Sequence, residues 1–208
     1  MIPGPTRIMK APGCQKPVKF STIASGNTIG ATFWSDGKCE APMLPDEPWL
    51  RKSPTEEVLF WTDECEEIGQ VDFFSEDYDK GEWKDLDYAE EPSEDDYMAA
   101  LHPVVAHTPE KERYIRMRLW WCGNDRIRQG ETTELSDKHL ENLQSLVYIL
   151  SDEDDDQRLM KAEVLRELSR FDDALRLLDS QFPEDYDHAV NRIRDLASNS
   201  ESKVATLT

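Results

Sequence analysis

The segment from residue 62 to residue 100 carries sixteen acidic side chains against two basic ones, a net charge of −14 in 39 residues. Carboxylates this dense must stay solvated, so any core lies to either side of the segment or is drawn from the apolar residues within it. The rest of the chain is less one-sided. Residues 1–61 sum to +1, residues 101–130 to +3 and residues 131–208 to −10. Two near-neutral stretches therefore alternate with two acidic ones. The boundaries this predicts are a small unit over residues 1–61, an acidic, aromatic-containing connector over 62–92 and a helical domain over 93–208.

Size and composition narrow the classes. At 208 residues, 38% of them hydrophobic and six of them tryptophan, the chain has material for one full-sized domain and a small satellite. Its net charge of −20 repels phosphate backbones and anionic membranes, which argues against a nucleic-acid partner. There is no run of 18 apolar residues, so no membrane span is expected. Residues 1–7 lack the apolar core and small-residue cleavage site of a secretory signal, and cytoplasm is the default expectation. Cys14, Cys39, Cys65 and Cys122 fall at spacings of 25, 26 and 57, with no close pair, and are expected as reduced thiols.

Residues 1–10 are rich in proline and glycine and are expected to fray. Val18–Ile23 and Thr28–Trp34 read as strands, and Asp36-Gly37 as a tight turn into Lys38-Cys39-Glu40, which together suggest a three-stranded meander. Prolines 42, 45 and 48 exclude a central strand, leaving an extended surface segment with Met43, Leu44 and Trp49 folded back on the sheet. Ala11-Pro12-Gly13-Cys14-Gln15-Lys16-Pro17 and Ser53-Pro54-Thr55-Glu56-Glu57-Val58-Leu59-Phe60-Trp61 each have the shape of a C-P-x-C knuckle. With Asp36-Gly37-Lys38, Ala41-Pro42-Met43-Leu44-Pro45 and Pro48-Trp49-Leu50, they carry a resemblance. This part of the chain resembles the N-terminal zinc ribbon of a group of uncharacterised bacterial proteins that pair a CPxCGKP knuckle with a later CPxC-x-x-LFW knuckle. In that group an acidic linker and a tetratricopeptide-like helical region follow. The resemblance places the four ligand positions on Ala11, Cys14, Ser53 and Glu56, so three of the four thiolates are replaced. One thiolate and one carboxylate make a poor zinc site, and neither a structural metal nor a cofactor is expected. Aromatic packing of Phe20, Phe33, Trp34, Trp49, Phe60 and Trp61 is expected to hold the ribbon instead. Two alternatives stay open: Ser53-Pro54-Thr55-Glu56 is also a capping box that would start a short helix, and Cys39 or Cys65 could join Cys14 in a three-sulfur site.

The connector interleaves its carboxylates with Phe73, Phe74, Tyr78, Trp83, Leu86 and Tyr88, which predicts an extended wrap over a basic surface such as the helix bearing Arg113, Arg116, Arg118, Arg126 and Arg128. Helices are predicted from Ser93 to about Leu101, from Thr108 to Gly123, and from Ser136 through Leu140, Leu143, Val147 and Leu150, with a polar loop over 126–135. Leu159–Leu168, Ser169-Arg170 and Phe171–Leu178 read as a helical hairpin similar to one tetratricopeptide unit, through Ala162, Leu165, Phe171, Ala174 and Leu178. A last helix begins near Glu184, and the tail from Ser198 is expected to be loose. The fold class is α+β, a small β-unit followed by a mostly helical domain.

No phosphate loop, H-E-x-x-H pair or EF-hand spacing is present. The sequence favours a non-catalytic protein-interaction or adaptor module, with Phe74, Tyr78, Trp83, Arg116 and Trp120 as partner-binding candidates. Trp120-Trp121, the densest aromatic spot, reads first as core and only second as a surface anchor beside the arginines. The first alternative is an acidic inhibitor or immunity-type protein whose 62–100 face neutralises a basic partner. The second is an enzyme of unrecognised type, which would need a carboxylate with a strongly raised pKa in a pocket.

Overall fold

The computed structural model describes residues 1–72, 81 and 83–207. It is an α+β protein with small antiparallel sheets within residues 2–71 and six α-helices after them. Its contacts divide the chain into two units: residues 1–31 with 40–96, and residues 32–39 with 97–208. The expected boundaries thus shift in two places. Most of the acidic connector belongs with the β-unit, and an eight-residue piece of the expected ribbon belongs with the helices.

The first unit begins with β1 (Ile2–Pro3) and β2 (Thr6–Lys10). It continues with β3 (Val18–Phe20) and β4 (Ile23–Ser25). The segment expected to fray supplies the central strand: β2 pairs antiparallel with β3, Ile8 opposite Lys19, and on its other edge with Glu66–Val71. The predicted meander is replaced because Thr28–Ala31 forms a turn, closed by the Ala31 amide on the Thr28 carbonyl, with Gly30 at φ +76°. Between Ile8↔Gly69 and Met9↔Glu67 the register skips Ile68, a bulge on the partner strand, while β2 stays in unbroken register with β3 and its consecutive Ile8 and Met9 are both buried. Backbone bonds from Lys19 and Lys52 to residues 87–90 then bring the end of the expected connector into the unit as a further extended strap. Met9, Ala11, Val18, Phe20 and Phe60 form the core, with the Phe20 and Phe60 rings stacked 6.2 Å apart.

In the second unit, β5 (Thr32–Phe33) and β6 (Cys39–Glu40) make a hairpin around Asp36-Gly37, where Gly37 has φ +78°. Numbering then continues with β7 (Leu50–Lys52), β8 (Leu59–Trp61) and β9 (Glu66–Val71) in the first unit; β7 and β8 pair, Leu50 opposite Trp61. The helices are α1 (Glu94–Ala100), α2 (Pro109–Arg128) and α3 (Asp137–Ile149). They are followed by α4 (Asp155–Glu167), α5 (Phe171–Leu178) and α6 (Asp187–Ser198). None is long and apolar enough to cross a membrane.

Ser93 and Thr108 cap as their sequence positions predict, and Asp154 caps α4 in the same way, each oxygen accepting an amide three residues on. Ser169 takes a left-handed φ of 58° at the α4–α5 elbow. Trp120, Leu143, Leu146, Leu150 and Val164 form one core cluster, and Leu159, Ala162, Leu178, Val190 and Ile193 a second. The tail is ordered rather than loose. Ser35 and Ala205 exchange two hydrogen bonds, and the Leu207 amide donates to the Phe33 carbonyl at 2.9 Å, so residues 205–207 extend the hairpin.

Gly123 does not end α2, which runs on to Arg128. It is there for packing: a Cβ at this position would lie 2.9 Å from the ring of the buried His139 on α3. Gly123→Ala should therefore destabilise the protein by about 1 kcal/mol, because overpacking at about 1–3 kcal/mol exceeds the roughly 1 kcal/mol gained in helix propensity. The midpoint of urea unfolding measures this, and a higher midpoint in the variant would show that the close approach is unimportant.

Candidate functional site

The four ligand positions of the resembled ribbon are brought together, and they are joined by hydrogen bonds. The Cys14 amide donates to the Ala11 carbonyl at 3.2 Å and closes the first turn. In the second, Ser53 Oγ and carbonyl accept the amides of Glu56 and Glu57; this is a turn, not the short helix a capping box would start. The Glu56 carboxylate then reaches to the opposite turn and accepts the amides of Gln15, at 2.9 and 3.0 Å, and Lys16, at 3.1 Å. A charged acceptor shared by two amides makes a strong cross-link. Burial raises the Cys14 thiol pKa, and a bond with Ser53 opposes the shift. Cys65 packs on the same apolar cluster as Cys14 and is pushed up to about 11 by burial. None of the four cysteines is in a disulfide. Among the described residues no three His, Cys, Asp or Glu side chains form a metal-holding group.

The partner-binding candidates are dispersed. Phe74 and Tyr78 lie outside the described residues. Trp83 lays its ring on Gly69 of β9, so close that a Cβ there would be 2.3 Å away. Arg116 donates to Glu112 at 2.8 Å and to Asn142 at 3.4 Å. Trp120 has no exposed surface and belongs to the helical core, which removes it as a surface anchor. The exposed apolar side chains are elsewhere. Met43, Leu44 and Trp49, expected to fold back on the sheet, are 39%, 43% and 61% exposed. Met43 and Leu44 sit against Gly26 and Asn27, Met43 also approaches Met1, and Ile2 pairs with Ser25 beside them. Next to this patch a cavity of about 270 Å³ is bounded by Ile23, Pro45, Asp46, Glu47, Arg51 and Tyr88 among others.

The densest polar arrangement is inside the helical unit, and only its surface arginines drew attention in the sequence. Asp36, at the hairpin tip, is fully buried. Its Oδ2 accepts from Asn124 Nδ2 at 2.8 Å and from Arg128 Nη2, and its carbonyl accepts from Trp121 Nε1 at 3.1 Å. Arg128 and Lys38 both donate to Asp125 Oδ1. Asn124 Nδ2 also donates to Glu167 Oε1 at 3.0 Å, and Trp120 Nε1 donates to Glu167 Oε2 at 2.8 Å. Arg166 forms a two-pronged pair with Glu163 and donates to the Glu201 carbonyl.

Burial raises the pKa of Asp36, with Arg128 and Asn124 pulling the other way. Glu167 is raised well above the usual carboxylate range, first by burial and then by its neighbours Glu163 and Asp36. For Arg166 burial opposes the charge, yet Glu163 outweighs it and the pKa rises. Glu167 therefore holds a proton over a pH range in which an ordinary glutamate has lost it, the property the enzymatic alternative requires.

The fold and these sites define an α+β protein with a hydrogen-bonded pair of turns in its β-unit and a buried ionic cluster in its helical unit. Compared with protein-family models, curated proteins and solved structures, the chain finds no match.

The raised pKa of Glu167 fixes a sign. Above its ordinary value near 4.5 the folded state binds more protons than the unfolded chain, so stability falls as pH rises from there toward the folded pKa. Urea unfolding across that window should show a smaller fall for Glu167→Gln than for the parent protein. Identical pH slopes would mean that Glu167 is ionised in the folded state.

Proposed function

We propose that the protein is a non-catalytic protein-interaction module whose docking surface is the exposed patch of Met43, Leu44 and Ile2 on the β-unit. The observation that carries this reading is the contiguity of these apolar side chains around Gly26 and Asn27, beside a cavity. Such patches on soluble proteins mark interaction sites, and methionine adapts its shape to the partner. The unit that bears the patch holds 21 acidic and 8 basic side chains, with Asp46 and Glu47 at the cavity wall. The occupant is accordingly a protein segment that alternates basic and apolar residues, which also accommodates the inhibitor-type alternative. Within this reading the paired turns are a ribbon in which the Glu56 carboxylate makes the cross-link that metal thiolates make in the resembled proteins. The α4–α5 pair is one tetratricopeptide-like hairpin, and four cysteines outside any disulfide suit a reducing cytoplasm.

Leu44→Asp separates patch docking from diffuse attraction, since it removes apolar surface and adds a negative charge. A synthetic peptide of alternating lysine and leucine, titrated by fluorescence anisotropy, should bind the parent protein and bind the variant about fivefold more weakly, given roughly 1 kcal/mol for a half-exposed leucine. Equal or tighter binding by the variant would refute the patch. A concentration-dependent dimer of the parent protein, lost in the variant, would reassign it to self-association.

A further inference from the structure

Asn124 and Glu167 do more than bridge the buried cluster, because both also line a cavity of about 300 Å³ within the helical unit. Ile127, Leu135 and Leu140 give it apolar walls, while Glu134 and Lys203 are its charged lining residues. This volume is at the lower end of the roughly 300–1,000 Å³ typical of small-ligand sites.

Two features of the polar wall indicate what it would hold. Asn124 is completely buried; its Nδ2 gives hydrogen bonds to both Asp36 and Glu167, while its Oδ1 has no protein partner. The ionic cluster is also unbalanced. Four carboxylates, from Asp36, Asp125, Glu163 and Glu167, face three cations, from Lys38, Arg128 and Arg166. Lys38 and Arg128 are engaged with Asp125 and Asp36, and Arg166 is engaged with Glu163. Among the described residues Glu167 is the carboxylate without an ion pair of its own: it receives the neutral N–H groups of Trp120 and Asn124, while the nearby charge of Arg166, already paired with Glu163, acts on it without a hydrogen bond. The two residues that carry the unmatched carboxylate and the unmatched amide oxygen thus both line one apolar-walled space.

We propose that this cavity binds a small organic monocation, a primary ammonium ion on a short apolar chain. Its ammonium group donates to Glu167 and to Asn124 Oδ1, and its chain lies against Ile127, Leu135 and Leu140. The ammonium takes the place of the proton that otherwise balances the cluster. At a pH where Glu167 is protonated, binding exchanges the cation for that proton, which passes to the buffer. An ammonium has three N–H donors, enough for both acceptors and one hydroxyl such as that of Ser202. A neutral carboxamide of the same shape lacks the charge the cluster is missing. This site is independent of the proposed docking patch, which belongs to the other unit.

The test uses the full chain and a series of straight-chain primary ammonium ions from ethyl to hexyl, each beside its neutral carboxamide isostere. Isothermal titration in two buffers of different ionisation enthalpy should show binding of at least one ammonium ion with net release of protons, and weaker binding of its isostere. Glu167→Gln should weaken that ammonium ion by roughly tenfold or more, the cost of losing a charge-assisted hydrogen bond. Leu140→Trp, which fills the space from its wall and leaves the polar groups alone, should abolish binding, and Lys203→Met should tighten it by removing a like charge. The proposal is overturned if no ammonium ion binds, if the carboxamides bind equally well, or if binding survives both Glu167→Gln and Leu140→Trp.

Discussion

The fully buried Asp36 is the point on which the helical unit depends. Its carboxylate takes one hydrogen bond from Asn124 and an ion pair from Arg128, both on α2, and its carbonyl takes the Trp121 indole. These bonds fix a hairpin of nine residues, Thr32 to Glu40, that would be marginal by itself. The hairpin gives the tail a strand to pair with, through Ser35, Phe33 and Leu207. Arg166 secures the same tail from below at the Glu201 carbonyl while it neutralises Glu163. Removing Asp36 would thus leave Arg128 with Asp125 and Asn124 with Glu167 as their remaining acceptors, and would release the hairpin and tail together, which costs more than the single contact.

A different constraint governs the β-unit. Its strands are two to six residues long, and its aromatic core is small. Short strands cannot fix two opposing turns by ladder bonds alone, and the Glu56 carboxylate supplies what they lack by gripping the amides of Gln15 and Lys16. Gly13, at φ +79°, supplies the left-handed step that exposes those amides. The partial burial of Cys14 beside Ser53 and Glu56 keeps its thiol protonated, so the cluster works through hydrogen bonds of neutral sulfur and charged oxygen.

Local chemistry was legible in the sequence, and long-range pairing was not. Ser93, Thr108 and the Ser169 elbow declare themselves because a cap or a left-handed turn is decided by a few neighbouring residues. Strand β2 was hidden because its evidence lies sixty residues away, in β9, inside a segment whose carboxylates suggest solvation. There the charge and the pairing are compatible, since Glu66 and Glu67 point their side chains outward while their backbones bond to β2. Gly123 misled for a similar reason: a glycine near a helix end signals a stop, unless another helix presses on it, and His139 is invisible from its neighbours. Trp49 and Leu44 were assigned inward on hydrophobicity, but the prolines at 45 and 48 hold that segment away from the sheet pairings that would cover them. The buried cluster had no local signature, because its members come from residues 36 to 38, 120 to 128 and 163 to 167.

Asn124 is where structural and functional demands separate. Asp36 and Glu167 repel each other, and one donor held between them is a sound structural answer to that repulsion. A lysine there would have supplied both the donor and the missing positive charge. Asparagine instead leaves the charge unbalanced and adds a buried acceptor without a partner, at a cost of about 1–3 kcal/mol for the acceptor alone. Replacing such a cluster by apolar residues is often neutral or stabilising, so fold stability by itself gives little reason to keep this composition. The same composition suits a cation that arrives from the cavity, because the charge a lysine would have supplied permanently is then supplied only when the ligand is bound.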